Sequence, residues 1–183
     1  LAMGTLVTVT LIVTRGHEQA AHEAIAGTEQ QLHAFGRDAW AWGPGSLSAF
    51  NTALLAGQRV PLPPGLQALF RRAWQIQRLS AGLFEPRIGA LVKTWGFDDV
   101  EHLREAPPAT AQIQQCLHDL RTAPAYDGGS FYGPAPGVAW DFGGIGKGYI
   151  VDRILARLLA LGFRHASVDA GGNLAVRGRH KHR

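Results

Sequence analysis

The chain has 183 residues, of which 46% are hydrophobic, and a formal net charge of +4. This length and composition can bury one good core, and the lack of any run of eighteen apolar residues excludes a membrane-spanning segment. The single Cys116 excludes an internal disulfide and a cysteine-rich metal site, while the scattered lysines and arginines argue against a nucleic-acid partner.

The first half of the chain is predicted to combine one strand with two helices. Residues 6–13 are apolar and β-branched, as is typical of a strand, and residues 18–35 carry apolar side chains at helical spacing. Prolines interrupt the chain at 61–64. The apolar stripe that follows, which includes Trp74, predicts a helix that ends near Gly82.

The second half continues this mixture. A short helix is predicted over 111–120, and the Gly-, Pro- and Ser-rich residues 124–136 indicate a flexible connection or an edge hairpin. The residues after 150 have a helical apolar face that leaves Arg157 toward solvent, and strands are predicted at 166–169 and 173–176. Because strands and helices alternate without a regular βαβ repeat, we expect an α+β fold with two lobes.

A glycine-rich run precedes the last predicted helix. It reads Asp-Phe-Gly-Gly-Ile-Gly-Lys-Gly-Tyr-Ile-Val-Asp over residues 141–152. Glycines let the backbone approach a ligand, and the first turn of a helix offers free N–H groups to an anion, to which Lys147 adds a charge. Lys147 is followed by Gly148, so the run is not a P-loop, and it lacks the Gly-x-Gly-x-x-Gly spacing. The run therefore predicts another kind of phosphate-binding turn, with tight packing as the alternative.

The run resembles the signature of the ApbE-type FAD:protein FMN transferases, Asp-φ-Gly-Gly-φ-x-Lys-Gly-Tyr-x-φ-Asp with φ apolar. Further segments resemble that family in the same order and spacing. They are Met3-Gly4-Thr5, Gly45-Ser46-Leu47-Ser48-Ala49-Phe50-Asn51, Gly82-Leu83-Phe84-Glu85-Pro86 with Leu91-Val92-Lys93-Thr94-Trp95-Gly96-Phe97, and Val168-Asp169-Ala170-Gly171-Gly172-Asn173. The resemblance implies one ApbE-like domain over 1–178 and a basic tail over 179–183.

The resemblance also implies a reaction. A threonine or serine hydroxyl of a target flavoprotein attacks the FMN-side phosphorus of FAD, AMP leaves, and Mg²⁺ stabilises the charge. It assigns a metal ligand to the backbone oxygen of Gly144. It assigns flavin-nucleotide contacts to Met3, Trp42, Leu83, Phe84, Glu85, Asp141 and Lys147.

Several of these assignments have alternatives. Met3 is also an ordinary residue for the entry to a strand, and Trp42, like its neighbour Trp40, is as well suited to core packing. Asp141 and Lys147 could instead form an ion pair with each other. His180 and His182 could bind a metal, but a solvated tail is the better interpretation of that segment.

The function has alternatives too. The side-chain metal ligands of the family lie in a C-terminal Asp-Ala-x-x-Thr-like block, which these residues do not contain, so we expect the chain to be truncated and to transfer little FMN by itself. A second hypothesis is an FAD-binding module without catalysis, and a third is a metal-dependent FAD pyrophosphatase in which water attacks. The family is usually exported, which implies a periplasmic location and a possible lipid anchor upstream of Leu1.

Overall fold

A computed structural model describes residues 3–99, 101 and 104–179. The helices are α1 Glu18–Asp38, α2 Ser46–Leu55, α3 Gln67–Leu79, α4 Gly89–Thr94, α5 Thr110–Thr122 and α6 Gly146–Ala160. The strands are β1 Val7–Leu11, β2 Val60–Pro61, β3 Phe131–Tyr132, β4 Ala166–Ala170 and β5 Asn173–Arg177. The expected α+β class is confirmed. No helix within the described ranges is both long and apolar enough to cross a membrane.

The chain forms two compact units. The sheet unit contains the residues up to Gly36 and from Ile145 onward, and the helical unit contains Arg37–Gly144. The chain therefore passes from the helical unit to the sheet unit within the glycine-rich run. His180 and His182 lie outside the described residues.

The sheet unit is built on an antiparallel sheet of strand order β1-β4-β5. Alternate residues of β1 and β4 point to a buried face, as the period of two requires, and Val168 and Ala170 are fully buried there. The apolar stripe of α6, with Ile154 and Leu158 fully buried, belongs to the same core cluster as that face. This packing fixes where the first turn of α6 lies relative to the β4–β5 turn.

Arg157 departs from its expected position toward solvent. Its guanidinium Nη1 donates to the Ala24 carbonyl and to the Thr28 hydroxyl of α1, both at 3.3 Å. The guanidinium lies across Gly27, where a Cβ would collide with it. The prediction that Arg157 faces solvent is wrong, because the missing side chain of Gly27 lets the guanidinium bridge α6 and α1.

The helical unit has an aromatic core centred on Trp140, which is fully buried. The Phe70 ring lies with its centroid 4.6 Å from that of Trp140, and Tyr132 meets the indole edge-on at 5.3 Å. The apolar face of α3 supplies Leu69, Phe70, Ala73 and Trp74 to this core, as the stripe in the sequence predicted. The Gly- and Pro-rich segment contains the short strand β3, which pairs antiparallel with the distant β2, so it forms an edge strand but not the hairpin that was the alternative prediction.

Candidate functional site

The part of the glycine-rich run in the helical unit is held by a distant asparagine. The Nδ2 of Asn51 donates to the Trp140 carbonyl at 2.8 Å, and the Trp140 N–H donates to the Asn51 Oδ1 at 2.8 Å. Asn51 is 5% exposed, so neither group has ready access to water. This paired contact places α2, with its Gly-Ser-Leu-Ser-Ala-Phe-Asn segment, next to the residue before Asp141.

The Gly-Leu-Phe-Glu-Pro segment holds the same stretch from another side. The Asp141 N–H donates to the Pro86 carbonyl at 2.8 Å, and the Gly89 N–H donates to the Ala139 carbonyl at 2.8 Å. A Cβ on Gly89 would lie 2.9 Å from the Ala139 carbonyl oxygen, so a side chain there would force the two segments apart. Three sequence motifs that lie far apart in the chain therefore meet at residues 139–141.

Two residues assigned by the resemblance, Phe84 and Gly144, lie together. A Cβ on Gly144 would be 3.3 Å from the edge of the Phe84 ring. The Phe84 N–H donates to the Ser80 hydroxyl at 3.0 Å, which anchors this turn to the end of α3. Leu83 points away, with 94% of its surface exposed. Phe84 and Gly144 thus form one surface in the helical unit, with Leu83 beside it and free to contact a ligand.

Glu85 has a protein partner of its own. Its two carboxylate oxygens accept hydrogen bonds from Arg87 Nε at 2.8 Å and Nη2 at 2.9 Å. Arg87 also donates to the Tyr132 hydroxyl, and its guanidinium lies 4.8 Å from the Trp74 ring centroid. The assignment of Glu85 to a flavin contact stays a prediction, but the carboxylate already neutralises a buried cation.

The surroundings of Arg87 favour its charged form. Burial lowers the pKa of Arg87, but the hydrogen bonds that it donates to Glu85 and Tyr132 outweigh burial and raise it above its ordinary value. Because Arg87 is 6% exposed, it needs the Glu85 carboxylate to remain in place.

Asp141 shapes the backbone at the end of the helical unit. Its Oδ1 accepts the Gly143 N–H at 2.7 Å, which closes a tight turn.

Trp42, the predicted aromatic contact, is half-buried, whereas Trp40 is 52% exposed and its ring covers Gly43. Neither tryptophan is fully buried, so the core-packing alternative does not account for the whole of either side chain.

The remaining part of the run opens the sheet unit as the first turn of α6. The helix begins at Gly146, so its first N–H groups have no partner within the helix. Lys147 is half-buried and has no carboxylate partner among the described residues of its own unit. The Oδ1 of Asn173 lies 3.7 Å from where a Cβ on Gly148 would be. This helix start combines free donors, a cation and a polar neighbour.

The other motifs of the sheet unit meet at the same end of the sheet. Gly171 and Gly172 have positive φ angles of 59° and 90° and form the β4–β5 turn, whose Gly172 N–H donates to Asp169 Oδ1 at 2.8 Å. A Cβ on Gly171 would collide with the Thr5 hydroxyl. Met3 has a φ of 53°, and its Cγ lies 3.3 Å from where a Cβ on Gly36 would be. Met3 thus packs on α1 in this structure.

Metal-binding side chains do not cluster in the described parts of the chain. No group of three or more His, Cys, Asp and Glu residues there could hold an ion. A single backbone carbonyl such as that of Gly144 cannot retain Mg²⁺, which is bound through carboxylates and keeps several of its waters. The described residues therefore do not fit a complete magnesium site.

Comparison with known proteins identifies the family to which these motifs belong. The sequence pattern of the ApbE family matches residues 3–183. The chain belongs to the ApbE family.

Curated relatives carry a more specific name. The chain is 34% identical over 168 residues to an FAD:protein FMN transferase of Rhodobacter capsulatus, a match that covers 89% of this chain and 31% of the relative. It is 34% identical over 143 residues to an FAD:protein FMN transferase of Treponema pallidum, which covers 73% of this chain and 38% of the relative. This ApbE chain therefore spans about a third of the length of these relatives.

Solved structures share the fold. The ApbE protein of Thermotoga maritima superposes with a TM-score of 0.82 at 22% identity, which covers 98% of this chain and 58% of that one. The flavin transferase ApbE of Vibrio cholerae gives a TM-score of 0.83 at 19% identity, over 99% of this chain and 58% of that one. The ApbE-like fold is thus confirmed.

Sequence reasoning missed two residues that organise this ApbE site. Asn51 is the last residue of the 45–51 segment, but no role was predicted for it. Arg87 was not predicted to have any role either. In a sequence, an arginine two positions after a glutamate is only a weak indication of a buried ion pair, since most arginines are exposed. The signal for Asn51 was its place within the apolar face of α2, between Phe50 and Leu54, where a buried amide needs a hydrogen-bond partner.

Proposed function

We propose that this ApbE chain is part of an FAD:protein FMN transferase and that it binds FAD through its pyrophosphate. The observation that carries the proposal is the start of α6, where N–H groups without a partner in the helix and Lys147 form a donor-rich turn. Dispersed negative charge is the chemistry that such a turn recognises. The names of the curated relatives support FAD as the nucleotide.

The flavin half of FAD is proposed to contact the helical unit. The exposed Leu83 and the half-buried Phe84 and Trp42 offer apolar and aromatic surface, which suits the isoalloxazine ring. Asp141 holds the turn that ends at Gly144 and is proposed to contact the nucleotide with the carboxylate oxygen that does not bind Gly143. Met3 and Glu85 are proposed as further contacts on the resemblance alone.

The proposed reaction transfers the FMN moiety to a protein. A threonine or serine hydroxyl of a target flavoprotein forms a new bond to the FMN-side phosphorus, the bond from that phosphorus to the bridging oxygen breaks, and AMP leaves with the electron pair. The hydroxyl proton passes to solvent or to a base. When bound, Mg²⁺ would neutralise charge on the pyrophosphate, with the carbonyl of Gly144 as the proposed ligand from this chain. We also propose that the protein works in the periplasm, on the resemblance alone.

Equilibrium titration with flavins tests the binding step. We expect FAD to bind the chain at least about tenfold more tightly than riboflavin, since only FAD engages the donors at the start of α6. Tryptophan fluorescence and calorimetry would measure both affinities. Equal affinities for FAD and riboflavin would contradict phosphate recognition by this turn.

Product analysis tests the transfer step in the full-length protein. Incubation with FAD, Mg²⁺ and a threonine-bearing acceptor domain should add the mass of FMN to the acceptor and release AMP. If free FMN and AMP appear while the acceptor stays unmodified, the protein is an FAD pyrophosphatase and the transferase proposal is wrong.

A further inference from the structure

An arginine-rich groove lies on the outer face of α3 in the helical unit. The groove has a volume of about 450 Å³, its basic side chains are Arg71, Arg72 and Arg78, and its other main residues are Trp74, Tyr126 and Asp127. We propose that this arginine groove binds an extended acidic segment of the protein that supplies the acceptor hydroxyl. The inference rests on the proposed transferase function, because only a transferase needs a protein acceptor.

The arginines are available to a partner. None of the three guanidinium groups forms an ion pair with a carboxylate in the described parts of the chain. Arg72 donates to the Gln75 side chain at 2.9 Å, which leaves most of its N–H groups unused. The carboxylate in the groove, that of Asp127, accepts the Gly129 N–H at 2.8 Å. The groove thus has more positive than negative charge and unsatisfied donors.

The spacing of the arginines fits an extended peptide. Arg71 and Arg78 are seven residues apart on one helix, which separates them by about 10.5 Å along its axis. An extended chain in the polyproline II conformation has three residues per turn and rises about 3.1 Å per residue, so two carboxylates three residues apart lie on one face and span about 9 Å. A single phosphate group is too small to contact both guanidinium groups at once. Charge complementarity and length therefore favour a peptide with acidic residues at positions i and i+3.

The floor of the groove disfavours a nucleic acid. Trp74 is 8% exposed and Tyr126 is 3% exposed, so neither ring has a free face on which a base could stack. The Tyr126 hydroxyl donates to the Gly129 carbonyl at 2.7 Å, which holds the loop that forms the far wall. This rigid and shallow floor suits the backbone of a bound peptide that lies along α3.

The groove is connected to the proposed flavin surface within the same unit. Trp74 forms its inner wall, and the Arg87 guanidinium lies against the indole. Arg87 in turn holds Glu85, the residue after Phe84. A segment docked in the groove would therefore lie against the indole that also contacts Arg87.

Peptide binding to a double variant of the groove tests the proposal. The probe is a labelled eight-residue peptide with aspartates at positions i and i+3, and its binding to the full chain is measured by fluorescence anisotropy at low ionic strength. We expect Arg71→Gln/Arg78→Gln to weaken binding about tenfold or more, because two charge-assisted contacts are lost. The matched control, Arg15→Gln/Arg164→Gln, removes two exposed arginines of the sheet unit and should leave binding unchanged. The same peptide with asparagines should bind neither protein.

Three results would overturn the proposal. They are equal peptide affinity in the double variant and the wild type, displacement of the peptide by inorganic phosphate at a similar concentration, and tighter binding of a single-stranded oligonucleotide than of the peptide. FAD titration of the same variants separates this proposal from the proposed function. Normal FAD binding by the double variant, together with its loss of peptide affinity, supports a groove separate from the nucleotide site. If the wild-type chain binds FAD but not the peptide, the groove proposal fails and the nucleotide proposal stands.

Discussion

Asn51 and Trp140 are 89 positions apart in the chain, yet the side chain of one and the backbone of the other form two hydrogen bonds of 2.8 Å. The contact is buried and reciprocal, since the amide both donates and accepts. It determines where the chain enters the Asp141–Gly144 turn. The geometry of that turn therefore depends on a residue in α2 that touches no part of the proposed ligand site directly.

Replacing Asn51 by Ala should destabilise the protein by about 2 to 4 kcal/mol, because the buried N–H and carbonyl of Trp140 both lose their partner. Urea unfolding followed by tryptophan fluorescence would measure the loss. The matched control is Thr52→Ala, which removes an exposed hydroxyl bonded to the Ser48 carbonyl within the same helix and should cost well under about 1 kcal/mol. Similar losses for both variants would show that the paired contact has no special role.

The Glu85–Arg87 pair should behave as a buried ion pair. Glu85→Leu should cost about 3 to 5 kcal/mol, since it leaves a buried guanidinium without its counter-charge, whereas Glu85→Leu/Arg87→Met should cost less than that single change. Arg37→Ala, which breaks an exposed pair with Asp38, should change stability by less than about 1 kcal/mol. Chemical denaturation of the wild type, of Glu85→Leu, of Arg87→Met and of the double variant completes the cycle, and strictly additive losses would count against a coupled pair.

Gly144→Ala should weaken FAD binding by roughly 1 kcal/mol, because the new methyl group lies 3.3 Å from the Phe84 ring and displaces it from the proposed flavin surface. The control is Gly65→Ala in the same unit, where nothing lies within 4 Å of the added Cβ. Calorimetric titration with FAD would measure both. Undiminished affinity in Gly144→Ala would mean that the position of Phe84 does not matter to the ligand.

Lys147→Ala should weaken FAD binding by about 1 to 3 kcal/mol through the loss of a charge-assisted contact, with little change in stability. Lys93→Ala is the matched control, since Lys93 is an exposed lysine in the last turn of α4. Riboflavin affinity should be the same in both variants. If Lys147→Ala unfolds the protein but the remaining folded fraction binds FAD fully, Lys147 has a structural role and not a ligand-binding one.

The stability of the protein should fall in alkaline solution. Burial raises the pKa of Tyr132 above its ordinary value of 10.0, although Arg87 opposes the shift, and burial likewise raises the pKa of Tyr126 against the charge of Arg71. Above about pH 10 the unfolded chain loses these phenol protons first, so the free energy of unfolding decreases as pH rises. Below that pH the contribution is fully present.

Urea unfolding between about pH 9 and pH 11 would measure this slope. We expect Tyr132→Phe to reduce it, since one proton fewer is linked to unfolding. An unchanged slope in Tyr126→Phe/Tyr132→Phe would show that other groups govern alkaline stability.

Most of the regular structure followed from local sequence patterns. The strand at 6–13, the long helix from Glu18, the helix before Gly82 and the β4–β5 hairpin all lie where the pattern predicted them. These patterns are local, because apolar periodicity and glycine or proline breaks act within a few residues. The helices α2 and α4 escaped this reasoning, since both are short and lie inside motifs that were interpreted for their function.

The sequence by itself determined the family and the identity of the motif residues, because both depend only on residue types in order. The tertiary structure decided which partner each side chain has. Glu85 pairs with Arg87, Arg157 turns inward over Gly27, and Phe84 lies against Gly144. Such pairings depend on which surfaces approach after the core has packed, and a residue's neighbours in the chain do not specify them.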